Sequence, residues 1–439
     1  MLIWRWQKQE GEISPQPRER SWLGDVTLGD QLDKFKGIGP GFDHMRIGLA
    51  VAILAWHSFG ASYGTEWVKT APGFILATLA TLLPMFFGLS GFLIMGSAFR
   101  THDVRIFITF RVLRILPALA VEIALSAIVL GAFVTTLPVW DYYTNPQFFS
   151  YFGSLVGAIK YWLPGVFVDN PVNVVNGALW TVGPEIACYC LVAAMMLTGV
   201  FTRKGPMVLC AAAFVAICLF ADRWETDWNV VHLPTKALVC SFMSGNLIYL
   251  YRYQIRYSWI LFVVALVVST AAIVAGNNYP LLRPAYYVAA FLMPYCCVMI
   301  GLTGLKPMAF FHTGDYSYGI YIYAFPIQQT IAYYFPDLRV WWFNLGLSLP
   351  LAIAFAFMSW HLIEKPALSL RKRILPNPGS LPSHVKRDGF TGGKLIALAL
   401  IVAYGIFVTN ASRVFPFKDI YYSLIGHASS KSESNIQQF

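Results

Sequence analysis

Apolar residues along the 439-residue chain fall into long runs separated by short polar connections. Eleven runs are of spanning length or near it: 44–62, 73–95, 112–136, 178–200, 206–221, 234–251, 258–276, 285–303, 316–335, 341–362 and 394–411. About 20 apolar residues are enough to cross the hydrocarbon core as a helix. Inside lipid a helix also satisfies its own backbone. The pattern therefore predicts an all-α fold, a polytopic membrane helical bundle of about ten core transmembrane helices plus one additional C-terminal helix. No internal repeat is visible, which weighs against an inverted-repeat transporter.

The runs and their connections divide the chain into five parts. Residues 1–41 form a cytoplasmic N-terminal segment and 42–364 the transmembrane bundle. Residues 365–393 are a basic linker rich in Pro and Gly, 394–411 the additional helix, and 412–439 a polar periplasmic tail. The first 40 residues contain no apolar core of a signal peptide, so the first span is expected to serve as its own anchor. The longest outer connection, 138–177, carries Trp140, Tyr142, Tyr143, Tyr151, Tyr161 and Trp162. So many aromatic residues argue against disorder. They fit either a functional loop or an aromatic belt at the membrane interface.

Composition agrees with a membrane setting: 57% hydrophobic, 12% charged, mean hydropathy +0.57. The net charge of +10 is divided among short loops, which excludes a nucleic-acid-binding face as the natural reading. With the N-terminus inside, the inner segments hold 22 Lys and Arg and the outer segments nine. That imbalance predicts the N-terminus inside and the C-terminus outside. All seven cysteines lie in apolar runs without a CxxC pair, and the eight histidines are scattered, so no metal site is expected; no permanently bound cofactor is expected either.

Within this frame a few polar groups stand out. Phe42–Gly60 reads FDHMRIGLAVAILAWHSFG, with Arg46 at one end and His57 eleven residues on. Ionisable groups at membrane depth usually face a protein interior or a cavity. Along a helix the two are about 16 Å apart. Arg46 can snorkel to the inner interface. His57 lies deeper, either as a proton acceptor for a hydroxyl or as a packing histidine. Arg111 and Arg114, in FRVLRILPAL, share a helix face at the inner mouth. They suit phosphate groups, or they belong to the ordinary inner basic excess. In FFGLSGFLI, the small residues Gly88, Ser90 and Gly91 allow close helix packing or a narrow tunnel. LWTVGPEIACY puts Glu185 directly after Pro184, where a bend and a partnered carboxylate are expected. Tyr318, Tyr321 and Tyr323 offer hydroxyls to a cavity or sit at the interface, and HLIEKP reads as the terminator of the tenth span.

In their order along the chain these elements resemble the acyltransferase-3 family of integral membrane O-acyltransferases, from about Phe42 to Pro366. The resemblance rests on Asp43, Arg46 and His57 (D-x-x-R-x10-H), FFGLSGFLI, Arg111 and Arg114 (RxxR), Trp180 and Glu185, SYGIYIY and IEKP. It implies transfer of an acyl group, acetyl or succinyl in type, from cytoplasmic acyl-CoA to a sugar hydroxyl of a periplasmic or surface glycan. It further implies catalytic roles for His57, Glu185 and Asp43, and donor binding by Arg46, Ser90, Arg111 and Arg114. Trp180, Tyr318 and Tyr321 would bind substrate. The expected partners are the acyl-CoA, the glycan acceptor and the lipid bilayer. One position departs from the family: Ala324 stands where a histidine is usual, which leaves His57 as the main candidate base. The rival readings are a transporter or flippase for a lipid-linked or anionic solute, and a non-catalytic scaffold.

Overall fold

Each of the eleven apolar runs contains a helix in the computed structural model, which describes residues 26–37, 39–64, 67, 73–221, 235–279, 282–306, 314–371 and 392–413. A short helix, α1 (Leu28–Lys34), precedes them. The long helices are α2 (Phe42–Tyr63), α3 (Gly73–Thr101) and α4 (Val104–Ala124). After α4, the short α5 (Val139–Thr144) and α6 (Pro146–Tyr151) lie in the long connection. Then come α7 (Val182–Thr198), α8 (Lys204–Ala221), α9 (Thr235–Leu250), α10 (Trp259–Asn278) and α11 (Ala285–Gly301). The series closes with α12 (Ser317–Tyr334), α13 (Trp341–Ser359) and α14 (Gly392–Arg413). There is no strand among the described residues, only two isolated bridges. The fold is an all-α bundle of a multi-pass membrane protein.

Six helical stretches are long and apolar enough to cross a membrane, and four more are shorter apolar helices. The remaining long helix, α12, carries Gln328 and Gln329 among its apolar residues. Most of the linker (372–391), the chain before 26 and the tail from 414 lie outside the described residues.

Two groups of helices carry the packing. One joins α3, α9, α10 and α11, the other α2, α12 and α13. Small residues set the spacing in both, as expected where helices meet without water to drive them together. A side chain on Gly88 would run into Pro294, and one on Gly91 into the carbonyl of Phe242. These glycines are therefore taken up by helix contact. In the second group Ala50, Ala324, Ala352 and Ala356 are buried together, so Ala324 faces α2 as a packing residue. α14 lies along α7, and the Tyr404 hydroxyl donates to the Val156 carbonyl at 3.1 Å.

Two local features differ from the pattern-based expectation. Pro184 falls in the first turn of α7, where its missing N–H has no intrahelical partner to lose, so it does not kink a helix interior. HLIEKP does not terminate its helix: α13 passes through a π turn, Trp360–Glu364, and resumes over Lys365–Ser369. A second π turn, Leu125–Leu130, extends α4. Such wide turns insert one residue into a helix and re-aim its next turns. At the N-terminus, Thr27 and Asp30 form a capping box that starts α1. Its first N–H groups bond to the carbonyls of Ile255 and Arg252, which ties the segment before the bundle to the 251–257 loop.

The 138–177 connection is folded, and its buried aromatics contradict a simple interface belt. Tyr142, Tyr151 and Tyr161 are among the largest fully buried side chains, whereas Trp140 is 78% exposed. Phe148, Leu163, Phe167 and Val175 join them in a core shared with α4, α7 and α12. Asn176 and Gln329 fasten this loop down. The Asn176 amide donates to Glu122 at 2.8 Å and to the Ile322 carbonyl at 3.0 Å. Gln329 donates to the carbonyls of Val172 and Val174.

Candidate active site

α2 carries Arg46 and His57 on one unbroken helix. Arg46 does not snorkel outward; its guanidinium pairs with Asp315, just before α12. The same carboxylate accepts from Arg114 at 2.7 Å, and from the Ser317 hydroxyl at 2.6 Å through its other oxygen. Arg114 turns its second nitrogen to Glu364, at 2.6 Å, on the π turn. Glu364 is 1% exposed and also accepts from Ser359 at 3.1 Å. Two arginines and two carboxylates thus form a closed ion network joining α2, α4, the start of α12 and the end of α13. Burial works against charge on Asp315, but Arg114 and Arg46 beside it hold its carboxyl well below the usual carboxylate range.

Arg111, one turn before Arg114, stands differently. It donates to the Ser97 hydroxyl at 3.1 Å and lies between the rings of Phe107 and Tyr189. No carboxylate pairs with it among the described residues, and its Nε is buried without a hydrogen-bond partner. Glu185, in the first turn of α7, is half-buried and accepts from the Tyr189 hydroxyl. It lies within electrostatic reach of Arg46, Arg111 and Arg114. The structure therefore gathers Arg46, Arg111, Arg114 and Glu185 at one level of the bundle.

His57 belongs to another level. Its ring is half-buried and meets the edge of Phe325, with centroids 5.3 Å apart. Phe325 packs against Gly177, the last residue of the 138–177 connection. One turn back along α2, the Leu54 carbonyl accepts from the fully buried Gln328 amide at 2.8 Å. Gln328 is in turn bonded through its backbone to Asn344 of α13. Asp43 is exposed in the first turn of α2, about 21 Å along the axis from His57, and favourable there for the helix dipole.

The remaining predicted residues surround these two levels. The Tyr318 hydroxyl donates to the Ile115 carbonyl at 3.3 Å, and its ring lies beside Arg114. Tyr321 bonds Thr181 at 2.7 Å and the Ala178 carbonyl at 3.1 Å. Trp180 is half-buried between the two largest apolar cores. Ser90 is half-buried on α3 between the two packing glycines. Pattern reading missed Asp315, Glu364, Glu122, Gln328 and Gln329. The available signal was a polar side chain within or beside an apolar run.

The stretch from residue 40 to residue 361 matches the model of a family described as an acyltransferase domain, acyltransferase-3. The chain belongs to the acyltransferase-3 family. Membership makes it an acyltransferase rather than a transporter, flippase or scaffold. An O-acetyl transferase of Shigella phage Sf6 is 24% identical over 347 residues, covering 75% of this chain and 96% of the phage protein. Nodulation protein 10 of Rhizobium leguminosarum bv. viciae is 26% identical over 380 residues, covering 79% and 98%. No solved structure matches the chain. The acyltransferase-3 match includes Arg46, His57, Arg111, Arg114, Glu185 and Asp315, and stops short of Glu364.

Proposed function

We propose that this acyltransferase moves an acyl group, acetyl or succinyl in type, from cytoplasmic acyl-CoA to a sugar hydroxyl of a periplasmic or surface glycan. One observation carries the reading: α2 holds Arg46, a member of an arginine cluster shared with α4, and a half-buried imidazole, His57, about 16 Å further along the same helix. This arrangement suits a donor whose phosphates and thioester lie at opposite ends of a flexible arm. Arg111 is the guanidinium left for the phosphates, because Arg46 and Arg114 already hold carboxylates. Arg46 and Arg114 contribute their field and keep α2, α4 and α12 in register. Glu185 holds the Tyr189 hydroxyl and so orients the ring beside Arg111. In this reading Ser90 contributes to donor binding, and Trp180, Tyr318 and Tyr321 to substrate binding.

His57 takes the proton of the sugar hydroxyl as that oxygen attacks the thioester carbonyl. The carbon–sulfur bond breaks, and the proton passes to the departing thiolate. The same imidazole also suits a two-step route, in which it accepts the acyl group before the sugar does. The folded outer loop ends at Gly177 against Phe325, so an acceptor from the periplasm would reach His57 beside it.

The test is mass spectrometry of surface glycans from cells with the gene, without it, and with His57→Ala at matched protein levels. An acyl mass added only by the wild type is expected. Retention of most acylation by His57→Ala would sink the assignment of the base. Glycans indistinguishable with and without the gene would sink the acceptor class.

A further inference from the structure

Arg371 follows the resumed helix of α13, beyond the family match. It nonetheless returns to α4. Its Nη2 donates to the Phe110 carbonyl at 3.1 Å, and its guanidinium lies 4.9 Å from the centre of the Phe110 ring. Its Nε is buried with no hydrogen-bond partner. Arg111, the neighbour of Phe110 in sequence, repeats the pattern with one side-chain bond and an unpartnered buried Nε. Neither arginine has a carboxylate partner among the described residues, although Arg114 has two. Burial and the like charges of Arg111 and Arg114 lower the Arg371 guanidinium to about 10. Crowded cations with spare N–H groups are what a phosphate oxyanion would relieve and satisfy.

We propose that Arg371 and Arg111 together form a phosphate-binding site for the acyl donor, with Arg371 the ligand supplied from outside the family domain. The proposal rests on the acyl-CoA reading above. A lipid headgroup has the same oxyanion chemistry, so the test separates the two sources.

The full-length protein is placed in nanodiscs of phosphatidylcholine, or of phosphatidylcholine with phosphatidylglycerol. Binding of coenzyme A is measured, with pantetheine as the probe lacking its phosphates. Arg371→Ala should weaken coenzyme A binding about tenfold or more in both lipids and leave pantetheine binding unchanged. Arg371→Lys should recover part of the loss, and Lys365→Ala, on the exposed surface of the same segment, should bind as the wild type does. Should the alanine variant not fold, Arg371→Gln carries the same comparison. Unchanged coenzyme A binding in the Arg371 variants, with a loss in Arg111→Ala, would overturn the role of Arg371 and leave the donor reading standing. Equal loss for both probes would mark Arg371 as structural and overturn the site. A loss confined to the phosphatidylglycerol discs would assign it to a headgroup and overturn it too. A wild type that binds no coenzyme A would remove the donor reading and this site together.

Discussion

Arg114 and Arg111 are three residues apart and have opposite surroundings, so their replacement should separate stability from substrate use. Arg114→Ala would strand the buried Glu364 and leave Asp315 with Arg46 alone. Breaking a buried pair by removing one partner costs about 3–5 kcal/mol. A clear fall in Tm of the purified protein is therefore expected, with Arg114→Lys intermediate because the two-sided fork is lost. Arg111→Ala strands no carboxylate and should leave Tm nearly unchanged, while raising the donor KM about 10- to 150-fold. A large Tm loss in Arg111→Ala, or none in Arg114→Ala, would reverse the roles. The network also gives a pH dependence. The Asp315 carboxyl is held below its unfolded value, about 3.9. Its contribution is fully present above that value and is lost as pH falls through the lower folded one. Tm should therefore drop more steeply in acid for the wild type than for Asp315→Asn.

The 138–177 connection is the element whose form the pattern did not decide. Aromatic content marked it as ordered, but a belt and a small core draw on the same residues. What separates them is where the rings point, and that depends on α4, α7 and α12 rather than on the loop's own sequence. Gln329→Leu removes the donors to Val172 and Val174 and leaves those carbonyls buried. The variant should expose the loop to a protease added outside, while the wild-type loop stays intact. The long helices were legible because the membrane demands about 20 apolar residues for each. The ion network was not. Asp315 and Glu364 reach Arg114 over 201 and 250 residues of chain, and no local period encodes such a pairing. His57 and the arginines could be picked out individually. The spacing already set Arg46 and His57 apart along α2; that Asp315 holds Arg46 while Arg111 has no carboxylate partner among the described residues was not legible.

For the whole molecule, orientation decides which mouth each substrate uses. Cysteine labelling with an impermeant reagent checks it, in a background lacking the seven native cysteines. Ser150→Cys, exposed at the end of α6, should label in intact cells, and Ser369→Cys only after permeabilisation. Ser154→Cys should resist in both, because Ser154 is fully buried. Labelling of Ser369→Cys from outside would invert the topology and the cross-membrane route. The ion network has a further consequence, in time rather than space. Arg46 and Arg114 are synthesised early and their carboxylates late, with Asp315 following Arg46 by 269 residues and Glu364 following Arg114 by 250. At about 5–20 residues per second, the first spans wait on the order of 10–50 s for their counter-charges. During that interval the nascent chain carries unneutralised arginines at the membrane. A message truncated before codon 315 should therefore yield a product that the cell's membrane proteases remove, however apolar its remaining spans.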